Sequence, residues 1–155
     1  MRLSLTTLGI TALLLAAPGA FAGTCPKEHV LTTARDIPLR DSVGVKRETL
    51  ALVDITGWRG ATDLRLRTRR LTIAKDGIIP THAHDDRPSI VFILSGELYE
   101  HSSFCAVPVL HKAGEWTPEF GPGHAHWWEN KSGGTVVVLS SDVVPPEGLD
   151  KPEDM

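Results

Sequence analysis

At 155 residues the chain is long enough for one domain with a real core and too short for two. A formal net charge of −3 gives no support for a polyanion as the main partner, so no nucleic acid is expected.

The N-terminus opens with Arg2, an apolar stretch around Leu8 to Ala17, and then Pro18-Gly19-Ala20-Phe21-Ala22. Small residues at Ala20 and Ala22 fit the A-x-A pattern of a signal peptide over residues 1–22, cleaved after Ala22. The alternative is a membrane anchor, but the apolar run is short for a hydrocarbon layer of about 30 Å. Gly23-Thr24 before Cys25 are the wrong neighbours for lipid attachment, so no stable membrane anchor is expected. The expected location is the periplasm or the exterior. There Cys25 and Cys105 could form a disulfide; the alternative is a free Cys105 near the pocket.

Residues 23–61 are expected to hold an arm and a first strand, Val45 to Ile55, bounded by Gly44 and Gly57. A second strand candidate runs from Thr62 to Ala74 and ends at the turn Lys75-Asp76-Gly77. Within it Arg65, Arg67 and Arg69 form a basic stripe on one face, with Arg70 on the other. Such a stripe is usually solvated or paired across an interface, and less often clamps a substrate carboxylate.

Ile90-Val91-Phe92-Ile93-Leu94 is continuously apolar, as in a strand covered on both faces. One face would line a barrel lumen and the other would meet a second layer or a partner subunit, which predicts a homodimer. Ser95-Gly96 turns it into Glu97 to Ser103, followed by Ala106 to His111, the loop Pro118 to Gly123, and a last strand Val136 to Ser140. Pro145-Pro146 stops the strands, leaving 145–155 as a flexible acidic tail. Many short strands and no long 3.6-residue period predict an all-β barrel or sandwich, its core over 62–144.

His82 and His84, one residue apart on an extended segment, point the same way. His126, in Gly123-His124-Ala125-His126-Trp127-Trp128-Glu129-Asn130, can join them only if the sheet curls back on itself. Neutral imidazole suits Zn, Cu, Fe or Ni. The stretch from Thr62 to Ser140 resembles the cupin superfamily, whose motifs are G-x5-H-x-H-x3,4-E-x6-G and G-x5-P-x-G-x2-H-x3-N. Gly77, His82, His84 and Gly96 carry the first motif here, and Gly114, Gly123, His126 and Asn130 the second.

Three positions depart from the pattern. Gly77 is one residue closer to His82, Gly121 stands where the second motif has proline, and Ser89 stands where cupins carry a carboxylate ligand. The resemblance implies a double-stranded β-helix (jelly-roll) barrel and one divalent metal ion (Fe, Mn, Zn or Cu) on His82, His84 and His126. His124 shares the parity of His126 and is the alternative third ligand, or a weak acid/base candidate at the rim. Asp85 and Asp86 are expected in a solvated turn, and Glu97 in water.

Ser89, Val91, Ile93, Trp128 and Asn130 are expected to line a pocket for a small molecule, with Arg87 as the better-placed anion clamp. Trp127 is expected to be packing only, and His29, His101 and His111 structural or exposed. Three neutral ligands would leave the ion's charge uncompensated and favour an anionic, chelating substrate. The expected function is a metal-dependent enzyme of dioxygenase, isomerase or lyase type; the alternatives are a periplasmic binding or sensing module and a metal-free structural barrel.

Overall fold

Alternation of buried and exposed side chains, the mark of strands with one face turned inward, runs through most of the chain. The structure is a computed structural model that describes residues 23–149; the signal peptide expected at 1–22 and the end of the expected tail, 150–155, lie outside the described residues. Eight strands form one antiparallel sheet: β1 (Val43–Asp54), β2 (Arg65–Ala83), β3 (Ser89–Ser95), β4 (Glu97–Ser102), β5 (Val109–Lys112), β6 (Trp116–Glu119), β7 (Ala125–Glu129) and β8 (Val136–Val144). Their order is β5-β4-β7-β2-β8-β3-β6, with β1 added alongside β2. Helical segments among the described residues are three 3-10 turns. The fold is all-β, a nearly closed jelly-roll barrel.

β2 is the spine of the barrel, and it overturns one expectation. The turn at Lys75-Asp76-Gly77 does not end the strand, which runs on to Ala83. Up to Ile73 it pairs with β8, and from Ile78 with β7. Between them the chain bulges, with Asp76 at φ 60°. A bulge re-aims a strand without ending it, so one strand serves both walls. A side chain at Gly77 would lie 2.7 Å from Ile73 and 2.8 Å from the Ala74 carbonyl, which explains the glycine. Asn130 sews the bulge: its amide donates to the carbonyls of Ile73 and Ala74 and of Gly134 in the following loop. It is fully buried there and is no pocket wall, contrary to the alternation argument.

The lumen is graded along its length. Leu71, Ile73, Ile79, Val91, Ile93, Leu98, Trp128, Val136 and Val138 form an apolar cluster at one end. Two residues further along the same strands, the inward side chains are Arg69, Ser89, Glu100, His126 and Ser140, all buried. Fixed strand register stacks apolar with apolar and polar with polar across neighbours, as in Leu71↔Val138 and Arg67↔Asp142. Thus an apolar plug supports a polar end.

The outward residues Ile90 and Leu94 of β3 are exposed, so within the described residues no second layer covers this face. Cys25 and Cys105 are joined in a disulfide that ties the arm to the loop after β4, where Val30 also bridges to Cys105.

Candidate metal centre

His82 lies near the end of β2 directly opposite His126 on β7, and His84 follows two residues later. His84 and His126 are fully buried and His82 is half-buried. The three rings meet at the polar end of the lumen, with centroids 4.5 to 5.0 Å apart. One ring nitrogen from each lies within 4.8 Å of the others.

The orientation of each ring follows from what its other nitrogen touches. His82 Nδ1 lies 2.8 Å from the Pro80 carbonyl, His84 Nδ1 2.9 Å from the Arg87 carbonyl, and His126 Nδ1 2.8 Å from Glu100. These oxygens accept, so each Nδ1 donates its hydrogen and each Nε2 keeps a lone pair. His82 Nε2 and His126 Nε2 are 3.0 Å apart. Two lone pairs at that distance need a proton or a cation between them. The residues therefore fit a metal, each imidazole held by an outer partner as metal-ligating histidines usually are.

Burial holds His82 well below the usual histidine range, helped by the neighbouring His126 and His84. Burial and His126 lower His84 to about 3. Burial would lower His126 too, but the Glu119 and Glu100 carboxylates outweigh it and raise the ring. Neutral His82 and His84 are ready ligands, and His126 is the ring whose basicity the two carboxylates raise.

Three acidic or basic side chains of the site were not expected from sequence. Glu100 of β4 bridges His126 Nδ1 and His111 Nε2, at 2.8 and 2.9 Å. His111, expected to be structural or exposed, is 1% exposed. Glu119 of β6 is as buried, and stands 3.2 Å from His84 Nε2 and 3.7 Å from His126 Nε2. Burial pushes its carboxyl up to about 7 despite the pull of His126. The alternating burial of β4 carried a faint signal for Glu100; Glu119 had none, because its position depends on β6 pairing with β3.

Ser89, Val91 and Ile93 point inward as parity required, and the Trp128 ring lies 5.5 Å from that of His126. Trp127 faces the other way, stacked on His101 at 3.8 Å. His124 is half-buried with its ring 5.2 Å from His126, and Glu100, His124 and His126 make a second possible ligand group. Asp85 accepts from the Gly123 amide, tying down the loop before β7.

The arginine stripe is largely internal: Arg67 and Arg69 are buried and bond Asp142 of β8 at 2.7 and 3.2 Å. Arg87 joins them on the same carboxylate at 3.2 Å. The expected clamp thus has its guanidinium engaged by Asp142. A cavity of about 320 Å³ is lined among others by Glu100, His124, Phe104, Val109 and the Cys25–Cys105 bridge; it reaches the centre only through Glu100, the partner of His126, and His124.

No family model matches the sequence, and no curated protein matches it. Among solved structures the chain is similar to a sugar phosphate isomerase of the cupin superfamily from Silicibacter pomeroyi DSS-3. The TM-score is 0.53 and the identity 14%, over 66% of this chain and 61% of that one. It is similar also to a predicted oxalate decarboxylase from Thermotoga maritima, with TM-score 0.52 and 19% identity over 73% of this chain and 99% of that one. KdgF from Halomonas sp. aligns with TM-score 0.52 and 12% identity, over 73% of this chain and 92% of the other. The chain thus spans 61% of the length of the first of these structures. At such identities the likeness is one of fold.

Proposed function

Proceeding from the cupin fold of this chain, we propose that it is an exported, metal-dependent enzyme acting on a small chelating organic anion. One observation carries the reading: three imidazole Nε2 lone pairs converge at the buried polar end of an otherwise apolar lumen. His82, His84 and His126 would hold one divalent ion, which supplies Lewis-acid or dioxygen-activating chemistry when bound. The protein's own share is orientation and dryness. Pro80, Arg87 and Glu100 fix the three rings, Trp128 and the apolar cluster exclude water behind them, and Glu100 links His126 to His111.

The cavity beside Glu100 and His124 falls within the size range of small-ligand sites. Two neighbours in fold are named for chemistry on small anions, a sugar phosphate and oxalate, which agrees with this substrate class. The disulfide suits an oxidising compartment, as removal of the leader after Ala22 would provide.

The test is elemental analysis of the purified protein, followed by oxygen uptake and product formation with β-diketones, thiols, flavonols and small carboxylates. About one metal per chain, lost in His84→Ala and His126→Ala with the circular dichroism unchanged, is the expected result; unchanged metal content in those variants overturns the ligand assignment. A binding or sensing module is the second reading, favoured by the engagement of Arg87 with Asp142, which leaves that clamp occupied. Stoichiometric ligand binding without turnover on any substrate decides for it.

A further inference from the structure

Glu119 ends β6 and faces Ser89 across the β3–β6 ladder. Its carboxylate therefore enters the polar end of the lumen from the strand next to the one on which the cupin motif carries its acid. It is 1% exposed, and apart from the Ser89 hydroxyl beside it its oxygens have no hydrogen-bond partner among the described residues. Oε2 lies 3.2 Å from His84 Nε2, and Oε1 lies 3.7 Å from His126 Nε2. His84 Nε2 is likewise buried without a hydrogen-bond partner, its Nδ1 hydrogen being given to the Arg87 carbonyl. A carboxylate and a lone-pair nitrogen both accept, so at this range they repel unless something positive lies between them. Buried polar atoms are nearly always satisfied, and buried acceptors that face one another at this range ask for a proton or a cation between them.

We infer that Glu119 is the anionic ligand of the metal centre, donated from β6 in place of a carboxylate at position 89. The inference rests on the histidine reading above and deepens it: the ligand set is three imidazoles and one carboxylate, with the acid moved to the adjacent strand. A shift of one strand is geometrically open because Ser89 and Glu119 are register partners, so a short side chain at one position leaves room for a longer one from the other. The bound ion then carries one unit less charge than three neutral ligands would leave it. The hard carboxylate oxygen also moves preference toward Mn(II) or Fe(II).

The experiment is titration of the metal-free purified protein with Mn(II), the free ion being counted by electron paramagnetic resonance and the fold checked by circular dichroism. Four variants are compared with the parent: Glu119→Gln, which keeps shape and removes charge; Glu100→Gln, which touches His126 only at Nδ1; His126→Ala; and the exchange pair Ser89→Glu with Glu119→Ser. Loss of an outer partner weakens a metal about 10- to 100-fold, so Glu100→Gln is expected in that range and Glu119→Gln beyond it. The exchange pair is expected to recover affinity relative to Glu119→Gln, because it returns a carboxylate to the same point.

Mn(II) affinity in Glu119→Gln that equals the parent's, or exceeds that of Glu100→Gln, overturns the assignment while His126→Ala still tests the histidines. An exchange pair no tighter than Glu119→Gln overturns the equivalence of the two positions. A parent protein that takes up no Mn(II), or an undiminished His126→Ala, overturns the histidine reading and the Glu119 assignment together.

Discussion

Single side chains decide whether the centre is ready for a cation, and Glu119 is the one whose state depends most on its surroundings. Burial raises its carboxyl to about 7, from 4.5 for an ordinary glutamate. A carboxyl whose folded value is raised binds its proton more tightly in the folded state. It therefore contributes stability in full below about 4.5 and loses it as pH rises through about 7. Metal-free parent protein is thus expected to lose up to about 3 kcal/mol relative to Glu119→Gln across that window. Urea unfolding at a series of pH values checks this, and parallel stability profiles for the two proteins contradict it.

At the scale of elements, two buried polar knots hold the walls of the barrel in place. Asp142 of β8 binds Arg67 and Arg69 of β2 and Arg87 before β3, so one carboxylate ties three segments. Removing one partner of a buried charge group leaves the others uncompensated, at a cost of roughly 3–5 kcal/mol. Asp142→Ala should show a loss of that size by denaturant unfolding, and a loss below about 1 kcal/mol would mean that the arginines find other compensation. Asn130 is the second knot. Asn130→Ala removes the amide's contacts with two carbonyls at the β2 bulge and with that of Gly134, and is expected to destabilise by about 1–3 kcal/mol while leaving metal stoichiometry unchanged. A drop in metal content in a folded Asn130→Ala protein would return this residue to the pocket.

For the whole molecule the disulfide and the outer face matter most. Cys25 and Cys105 are 80 residues apart in sequence, so their bond shortens a long loop in the unfolded chain. On the chain-entropy account, Cys25→Ser with Cys105→Ser should cost about 4 kcal/mol. Equal midpoints for the two proteins in non-reducing urea would show that the arm adds nothing to global stability. Ile90, Leu94 and Trp116 lie exposed on the outside of β3 and β6. We propose this face as the contact of a homodimer, since paired apolar faces of this kind are the usual core of such interfaces. Ile90→Lys with Trp116→Glu should then halve the mass measured by light scattering; a parent protein already monomeric at high concentration refutes the dimer.

What the sequence determined by itself was everything that depends on local periodicity. Alternation and turn residues are written in the chain, so the all-β barrel was legible, and so were His82 and His84, because strand parity fixes neighbours two apart. His126 was legible through the spacing of Gly123 and Asn130 around it. Only the tertiary structure decided which residues from distant strands lie opposite one another. The pairing of Ser89 with Glu119, of Arg67 with Asp142, and of the two halves of β2 with β8 and β7 each depends on a register that no local window contains. That is why the missing acid went unseen, why a bulge looked like a turn, and why Arg87 and Asn130 were assigned to a pocket when they brace the walls around it.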